Sequence, residues 1–257
     1  MSSDGVTARQ REGRGEAESG EQTEVPVLKA KAERKLRITV LICTLNEEEN
    51  IPHVLPRIPD WVDEVLVVDG HSTDSTVAAV RNLRPDARIL CQPGRGKGDA
   101  LKYGVEQASG HIIVTLDADG ETDPQDIPKF IEPLLQGYDF AKGSRLARGR
   151  PPRMPRYRWL GNKILVLTCN LLYGTRYTDV CSGYSAFWKR AFFDIELTYD
   201  NCEMEQQLLV RAKKAGMKIA EVAHGSDGRI SGDSKINGIK QGFIDWLVVI
   251  GERFRGC

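Results

Sequence analysis

The sequence predicts one α/β domain with a doubly wound, mostly parallel sheet flanked by helices. Two observations support this fold class. Short apolar segments alternate with segments of helical spacing from residue 36 to residue 135, and this order indicates parallel strands joined by helical crossovers. Polar and acidic residues directly follow several of the strands. Because ligands bind beyond the carboxyl ends of such strands, these residues are the first candidates for a functional site.

The predicted elements follow from apolar patterning and from turn and capping residues. The predicted strands cover residues 36–45, 64–68, 88–90, 112–116, 139–144 and 218–222. The predicted helices cover residues 51–58, 77–83, 99–108, 126–135, 164–173, 203–215 and 236–254. Prolines interrupt the first of these helices and keep it short or irregular. Three further prolines, at 151, 152 and 155, predict a loop ahead of the helix that begins at residue 164.

The composition is that of an ordinary soluble globular protein, with 257 residues, zero formal net charge and 40% apolar residues. Residues 1–35 differ, because they contain seven basic and seven acidic residues and no aromatic residue. We therefore expect a disordered leader at 1–35 and one domain at 36–257. No apolar segment reaches the ~18–20 residues of a membrane span. The six cysteines are scattered without C-x-x-C spacing, which favours a reducing, cytoplasmic location over a disulfide framework or a zinc site.

Three acidic residues follow the predicted strand 112–116, namely Asp117, Asp119 and Glu121. In an extended backbone Asp117 and Asp119 point to the same side, roughly 7 Å apart. Two ionised carboxylates this close repel each other unless a cation lies between them. Ligand sets made only of oxygen suit Mg²⁺ or Mn²⁺. The alternative for a bare Asp-x-Asp is an acidic turn that merely closes the strand.

Other strand ends carry groups suited to a nucleotide. Asp69 ends the second strand and can accept a hydrogen bond from a base, and Thr44 and Glu47 lie at the end of the neighbouring strand. The alternative for each is helix capping. The glycine-rich segment 94–98 includes Lys97 and precedes a helix, so it resembles a phosphate cradle, although a plain turn remains open. Together with the acidic cluster, these residues predict one nucleotide-sugar site.

The segment from residue 140 to residue 178 contains nine basic residues and no Asp or Glu. One interpretation is a solvated loop. Nucleic acid is disfavoured as a partner because the net charge is zero, aromatic residues are sparse and no recognition motif is present. A third interpretation is attraction to an anionic acceptor or to an acidic membrane surface. The apolar segment 164–173 and the C-terminal helix favour this third interpretation, although each helix could instead pack on the sheet.

The motifs, taken in order, resemble those of the family-2 glycosyltransferases of the GT-A type. The segments of this chain that resemble the motifs of the superfamily are TLNE at 44–47, VDGHSTD at 68–74, GKGDAL at 96–101, LDAD at 116–119 and GSR at 143–145. TDVCSGY at 178–184 and RISGDSK at 229–235 resemble the dolichyl- and polyprenyl-phosphate sugar transferases. The resemblance implies a Rossmann-like GT-A sheet. It also implies inverting, metal-dependent transfer of a sugar from a UDP- or GDP-sugar to an acceptor, here a polyprenyl phosphate.

The resemblance implies a role for each matching side chain on the donor side. These side chains are Thr44, Glu47 and Asp69 for the nucleoside, Asp117 for the ribose or the metal, and Asp119 and Glu121 for the metal.

On the acceptor side, the resemblance implies that Arg145, Arg229 and Lys235 bind the donor diphosphate and the acceptor phosphate. Asp179 matches a position proposed for catalysis or for acceptor orientation. A phosphate acceptor is already anionic and needs no base, whereas a hydroxyl acceptor would need Asp179 or Glu205 to take its proton.

One departure from the family pattern concerns three alternating acids that many relatives carry on a helix after this loop. Here they are Glu203, Glu205 and the amide Gln207.

Several alternatives to this function remain open from the sequence. A sugar nucleotidyltransferase shares the α/β layout but needs a glycine-rich loop after its first strand, where this chain has TLNEEEN. A second alternative is a protein that binds a nucleotide sugar at this site but does not transfer the sugar to any acceptor. Within the glycosyltransferases, the acceptor could be a soluble hydroxyl compound instead of a lipid phosphate. A lipid acceptor would bring the protein into peripheral contact with the cytoplasmic face of a membrane.

Overall fold

The computed structural model of the protein describes residues 26–232 and 237–255. They fold around one seven-stranded sheet with the order β3-β2-β1-β4-β6-β5-β7. Strand β6 pairs antiparallel with β4 and β5, and the other pairings are parallel. The predicted mostly parallel α/β sheet is therefore confirmed. The strands are β1 (Ile38–Thr44), β2 (Glu64–Asp69), β3 (Arg88–Cys91), β4 (Ile112–Asp117), β5 (Phe140–Ser144), β6 (Ser185–Trp188) and β7 (Ile219–Ala223).

The helices connect these strands and cover the sheet. They are α1 (residues 26–34), α2 (Ile51–Val54), α3 (Thr76–Leu83), α4 (Lys97–Gln107), α5 (Ile127–Leu135), α6 (Arg156–Tyr173), α7 (Lys189–Phe193), α8 (Met204–Lys214) and α9 (Gly238–Gly251). Short 3-10 turns cover Leu55–Arg57 and Pro124–Asp126. No helix within 26–232 and 237–255 combines the length and the hydropathy that a membrane crossing requires.

The central strands β1, β2 and β4 are mostly apolar and buried, because helices cover both faces of the sheet. In β1, Val40 and Ile42 point into one core, which includes residues of α2 and α5, whereas Leu41 points into a second core with α4 and α8. A third cluster joins α6, α8 and α9. The second and third clusters fix the helices that stand above the carboxyl ends of the strands.

Part of the predicted leader is ordered. Residues 26–34 form a helix, Val27 is 1% exposed in the first core, and Lys31 forms an ion pair with Asp63 at 3.1 Å. For residues 26–34 the prediction of disorder is therefore wrong. The sequence did not reveal this helix, because a single buried valine and one half-buried ion pair leave no apolar period. Residues 1–25 lie outside the described residues.

Two elements of the second half also differ from prediction. Helix α6 begins at Arg156, eight residues before the predicted start, because Pro155 precedes it and fixes the entry of the chain into the helix. Strand β6 and helix α7 were not predicted. Strand β6 is only four residues long, and it is stabilised by ladder bonds on both sides, which a local pattern does not reveal.

Helix α4 packs so closely on the sheet that glycine is required at residue 104. A Cβ atom there would lie 2.5 Å from Leu41 Cδ1 and 3.0 Å from Val68 Cγ2. We expect Gly104→Val to reduce the free energy of unfolding by about 1–3 kcal/mol through overpacking, measured by urea denaturation. Gly161→Val in α6 is the matched control, since a Cβ there meets nothing within 4 Å. Equal stabilities of the two variants would contradict this packing argument.

Candidate active site

The carboxyl ends of three parallel strands meet at one edge of the sheet. Thr44 pairs with Asp69 across β1 and β2, and Cys43 pairs with Asp117 across β1 and β4. The Thr44 hydroxyl donates to Asp69 Oδ1 at 3.3 Å, and Asp69 Oδ2 accepts from the backbone N–H of Ser72 at 2.9 Å. Both Thr44 and Asp69 are buried. These two hydrogen bonds fix the start of the loop after β2 against the end of β1.

A cavity of about 730 Å³ opens at this edge. It is lined by residues from β4, from the loops after β4 and β5, from the loop after β7, and from α6, α8 and α9. Seven predicted site residues line it, namely Lys97, Asp117, Asp119, Glu121, Arg145, Glu205 and Arg229. Thr44, Glu47, Asp69 and Asp179 are not among its lining residues. Lys235 lies outside the described residues.

Lys97 links two carboxylates that belong to different elements. Its Nζ lies 2.5 Å from Asp117 Oδ1, at the end of β4, and 2.6 Å from Glu205 Oε1, in the first turn of α8. Burial alone would lower the pKa of Lys97, but the two carboxylates raise this pKa well above its ordinary value. Lys97 is therefore a permanent cation at the floor of the cavity.

The acidic cluster carries more negative charge than its surroundings neutralise. Burial, together with the charges of Asp117 and Glu121, raises the pKa of Asp119 to about 6. Asp119 has a cation near it, since Arg229 Nη1 lies 3.9 Å from Asp119 Oδ2. A divalent cation between the carboxylates would remove their mutual repulsion.

The predicted three-carboxylate ligand set is nonetheless not assembled. No three His, Cys, Asp or Glu side chains in the described ranges converge closely enough to hold a metal ion. The physical reason is that Asp117 is bound to Lys97, whereas Glu121 accepts from the Ser226 hydroxyl at 2.6 Å. Asp117 and Asp119 still fit Mg²⁺ chemistry, because Mg²⁺ usually binds one or two carboxylates together with substrate phosphates and water.

Arg229 joins the loop after β7 to the segment after β1. Its Nη2 lies 2.5 Å from Glu47 Oε2, and its Nε donates to the carbonyl oxygen of Ser231 at 2.7 Å. Asn50 also holds this loop, because its Oδ1 accepts from the N–H of Ser231 at 2.8 Å. The loop after β7 is thus attached to the segment after β1, and Arg229 extends from one to the other across the cavity wall.

Asp179 does not have the environment of a proton acceptor. It is fully buried, and Arg145 binds both of its oxygens at 2.8 and 3.1 Å. Asn162 Nδ2 donates to it at 2.6 Å. Burial would raise the pKa of Asp179, but Arg145 and the donated hydrogen bonds hold this pKa well below its usual range. The geometry does not fit the predicted role of a base, and it makes Asp179 a positioning residue for Arg145, which does line the cavity.

Two residues that line the cavity were not predicted from the sequence, namely Asp245 and Gln206. Asp245 on α9 is 6% exposed, and its Oδ1 accepts from Gln241 Nε2 at 2.8 Å. Gln206 on α8 donates to the carbonyl oxygen of Val180 at 3.2 Å. The sequence does contain a signal for Asp245. Gln241 and Asp245 form a polar i, i+4 pair within the otherwise apolar period of the predicted C-terminal helix.

The amide that replaces the third acid of the family pattern does not reach the cavity. Gln207 is fully buried on the other side of α8. Its Nε2 donates to Thr198 Oγ1 and to Glu252 Oε1, each at 2.8 Å. This departure therefore affects helix packing and leaves the cavity wall unchanged.

The fold and the cavity at the strand ends define a sugar-transferring enzyme of the GT-A class. The family described as "Glycosyl transferase family 2" matches residues 39–195, and the chain belongs to this family. Membership favours glycosyl transfer over the nucleotidyl transfer left open by the sequence.

Individual relatives agree with the family. The chain is 36% identical over 218 residues to "Glycosyltransferase AglJ" of Haloferax volcanii, covering 82% of this chain and 70% of that protein. It is 34% identical over 188 residues to a "Dolichyl-phosphate hexose transferase" of the same organism, covering 72% and 80%. Among solved structures, glucosyl-3-phosphoglycerate synthase of Mycobacterium tuberculosis with Mg²⁺ and UDP matches with a TM-score of 0.71 and 25% identity, covering 88% of this chain and 83% of that one.

The environment of Asp245 predicts a pH-dependent effect on stability. Burial, with the charges of Glu205 and Glu203, raises the pKa of Asp245 to about 7, above its value in an unfolded chain. Ionising this buried carboxyl therefore costs stability in full above pH 7. The cost declines steadily as the pH falls below 7, and it is gone only below the pKa of the unfolded carboxyl, about 3.9. We expect Asp245→Asn to raise Tm by a few degrees at pH 8 and by less at pH 5.

The measurement is a thermal melt at both pH values. Asp86→Asn is the control, because its carboxylate is exposed. A loss of stability in Asp245→Asn that is the same at pH 8 and pH 5 would contradict the burial argument.

Proposed function

We propose that this glycosyltransferase moves a sugar from a nucleoside-diphosphate sugar to a polyprenyl phosphate, with inversion at the anomeric carbon. One observation carries the proposal. A single cavity has acids and cations of the strand ends at one side and the exposed apolar helices α6 and α9 at the other. A donor with a charged diphosphate fits the first side, and an acceptor with a hydrocarbon chain fits the second.

The donor side has the parts that a departing diphosphate needs. Asp117 and Asp119 would hold Mg²⁺ or Mn²⁺, which supplies positive charge where the leaving group gains negative charge. The glucosyl-3-phosphoglycerate synthase structures that contain Mn²⁺ or Mg²⁺ with UDP support this assignment. Lys97, Arg145 and Arg229 add fixed cations on the same wall. The nucleoside would bind at the ends of β1 and β2, to Thr44, Asp69 and Glu47.

The acceptor side is formed by two helices that pack together. Tyr173 on α6 donates to the carbonyl oxygen of Val249 on α9 at 2.7 Å, and Trp246 donates to Thr168 at 3.1 Å. The outward faces of both helices are apolar, with side chains that are 49–76% exposed. We call this surface the apolar face; it comprises Leu160, Ile164, Leu167, Leu171, Ile239, Phe243 and Leu247.

The apolar face suits a lipid environment. Three residues of this face also line the cavity, namely Ile164, Ile239 and Phe243. A hydrocarbon chain could therefore pass from the cavity to the apolar face without crossing polar surface. The loop before α6 carries Arg150 and Arg153, and the first turn of α6 carries Arg156 and Arg158, directly ahead of this face in the chain. Near an anionic membrane each of these side chains contributes about 1 kcal/mol. This arrangement supports peripheral contact with the cytoplasmic face of a membrane.

A phosphate acceptor also explains why no free base is needed. The acceptor oxygen is already anionic, so it forms the bond to the anomeric carbon while the bond to the donor diphosphate breaks and the nucleoside diphosphate keeps the electron pair. The protein then contributes position and charge. Asp179 is tied to Arg145, and Glu205 is tied to Lys97, so neither carboxylate is available without breaking an ion pair.

A soluble acceptor is the second candidate, and one observation favours it. Several matching solved structures are of glucosyl-3-phosphoglycerate synthase, one of them with UDP-glucose and phosphoglyceric acid. A hydroxyl acceptor would require a proton acceptor. Of the two carboxylates that the sequence suggested as bases, only Glu205 lines the cavity, and it would first have to leave Lys97.

The metal assignment predicts the effect of one isosteric change. We expect Asp119→Asn to lower sugar transfer by a factor of a hundred or more, because one ligand loses its charge. The measurement is release of nucleoside diphosphate from a panel of UDP- and GDP-sugars in Mn²⁺, with EDTA as a parallel condition. Asp86→Asn, on the surface, should keep wild-type transfer. Undiminished transfer in EDTA would contradict the proposed dependence of transfer on a divalent metal ion.

The acceptor assignment predicts the effect of charge on the apolar face. We expect the double variant Leu167→Glu, Leu171→Glu to lose binding to vesicles that contain anionic lipid, and to lose transfer to a long-chain prenyl phosphate in those vesicles. Transfer to a short, water-soluble prenyl phosphate should remain, since these two leucines do not line the cavity.

The control is Leu83→Glu, an exposed leucine on α3. Sedimentation with vesicles and transfer assays are the measurements. Efficient transfer to 3-phosphoglycerate, with none to either prenyl phosphate, would establish the soluble acceptor instead.

A further inference from the structure

One wall of the cavity carries hydrogen-bonding groups to which the proposed binding of the nucleotide, the metal and the phosphates assigns no role. This wall comprises Glu205 and Gln206 on α8 and Asp245 on α9. Glu203 stands beside it, because Gln241 Nε2 approaches Glu203 Oε2 at 3.4 Å as well as Asp245. The negative charges on this wall would repel an anionic ligand, so the group that faces it must be uncharged.

Gln206 has an incomplete set of hydrogen bonds. The side chain is 3% exposed, and Nε2 donates to the carbonyl oxygen of Val180. Its Oε1 is buried and accepts from no donor within the described part of the chain. A buried amide oxygen without a donor costs free energy, and native structures leave few of them. A ligand hydroxyl on this wall would supply the missing donor.

Asp245 offers a second acceptor on the same wall. Gln241 binds Oδ1 at 2.8 Å, and within the described ranges no donor reaches Oδ2. Burial and the neighbouring acids raise the pKa of Asp245 to about 7, so near neutral pH the carboxyl can both accept and donate a hydrogen bond. A buried carboxyl of this kind reduces stability, and an apolar residue would suit the surrounding helix better.

The position of this wall relative to the diphosphate side identifies the ligand. Lys97 lies in contact with both Asp117 and Glu205, so the wall begins where the metal and diphosphate side ends. In a sugar nucleotide the hexosyl group is attached to the second phosphate. A neutral group that is rich in hydroxyls, held next to the diphosphate, is the transferred sugar, whereas a prenyl chain has no hydroxyl to offer.

We infer that Gln206 and Asp245 bind hydroxyl groups of the transferred sugar and thereby determine which sugar the enzyme accepts. The inference rests on the proposed function, because it assumes a nucleoside-diphosphate sugar in the cavity. It adds two residues and a subsite to that function. Gln206 contributes an acceptor through Oε1, and Asp245 contributes a carboxyl whose other oxygen Gln241 fixes in place.

The test separates binding of the sugar from binding of the nucleotide. Asp245→Asn and Gln206→Met are titrated by calorimetry, in Mn²⁺, with UDP, GDP, UDP-glucose, UDP-galactose and GDP-mannose. For the sugar nucleotide that the wild-type protein binds, we expect each variant to lose about tenfold in affinity. For the corresponding nucleoside diphosphate we expect no change. Asp86→Asn serves as the control for an Asp-to-Asn change outside the cavity, and thermal melts check folding.

A shift in the order of preference between UDP-glucose and UDP-galactose in Asp245→Asn would further support the assignment. Equal losses for the sugar nucleotide and the nucleoside diphosphate would show a structural role and overturn it, as would wild-type affinity for both. If the wild-type protein binds the nucleoside diphosphate but none of the sugar nucleotides, the assignment of Gln206 and Asp245 to a sugar subsite is wrong. If it binds no nucleotide at all, the proposed function itself fails.

Discussion

The ion pairs of Lys97 hold the active site together. This one ammonium group joins the end of β4 through Asp117 to the start of α8 through Glu205. Without it, two half-buried carboxylates would face each other and repel. The contact also requires a residue without a side chain nearby, because a Cβ at Gly183 would lie 2.6 Å from Asp117 Oδ2 and 2.9 Å from Lys97 Nζ. The end of β4 and the start of α8 are therefore placed by the same charge.

The donor side could be predicted from the sequence, and the acceptor side only partly. Parallel strands bring their carboxyl ends to one edge by topology, so Asp69 and Asp117 had to lie near each other once the strands were recognised. No such rule relates α8 to α9. Asp245 and Gln206 come together through helix packing, which sequence spacing does not encode.

Motif positions likewise do not report the surroundings of a side chain. Asp179 belongs to a recognisable motif, but its burial beneath Arg145 depends on the way that three separate segments meet. The predicted ligand set at Asp119 and Glu121 shows the same limit. Spacing placed both residues on one cavity wall, but it could not show that Ser226 and Arg145 would bind Glu121.

The reversed direction of β6 has a consequence for how such enzymes can diversify. Because β6 runs antiparallel to β4, its first residue, Ser185, pairs with Thr115 near the end of β4. The loop that precedes β6 therefore reaches the same edge as the loops that follow the parallel strands. Under the proposed function, substitutions in this one loop can change what receives the sugar while the nucleotide-binding residues at the ends of β1, β2 and β4 stay unchanged. One scaffold can thus exchange acceptors during evolution without a change to those strand ends.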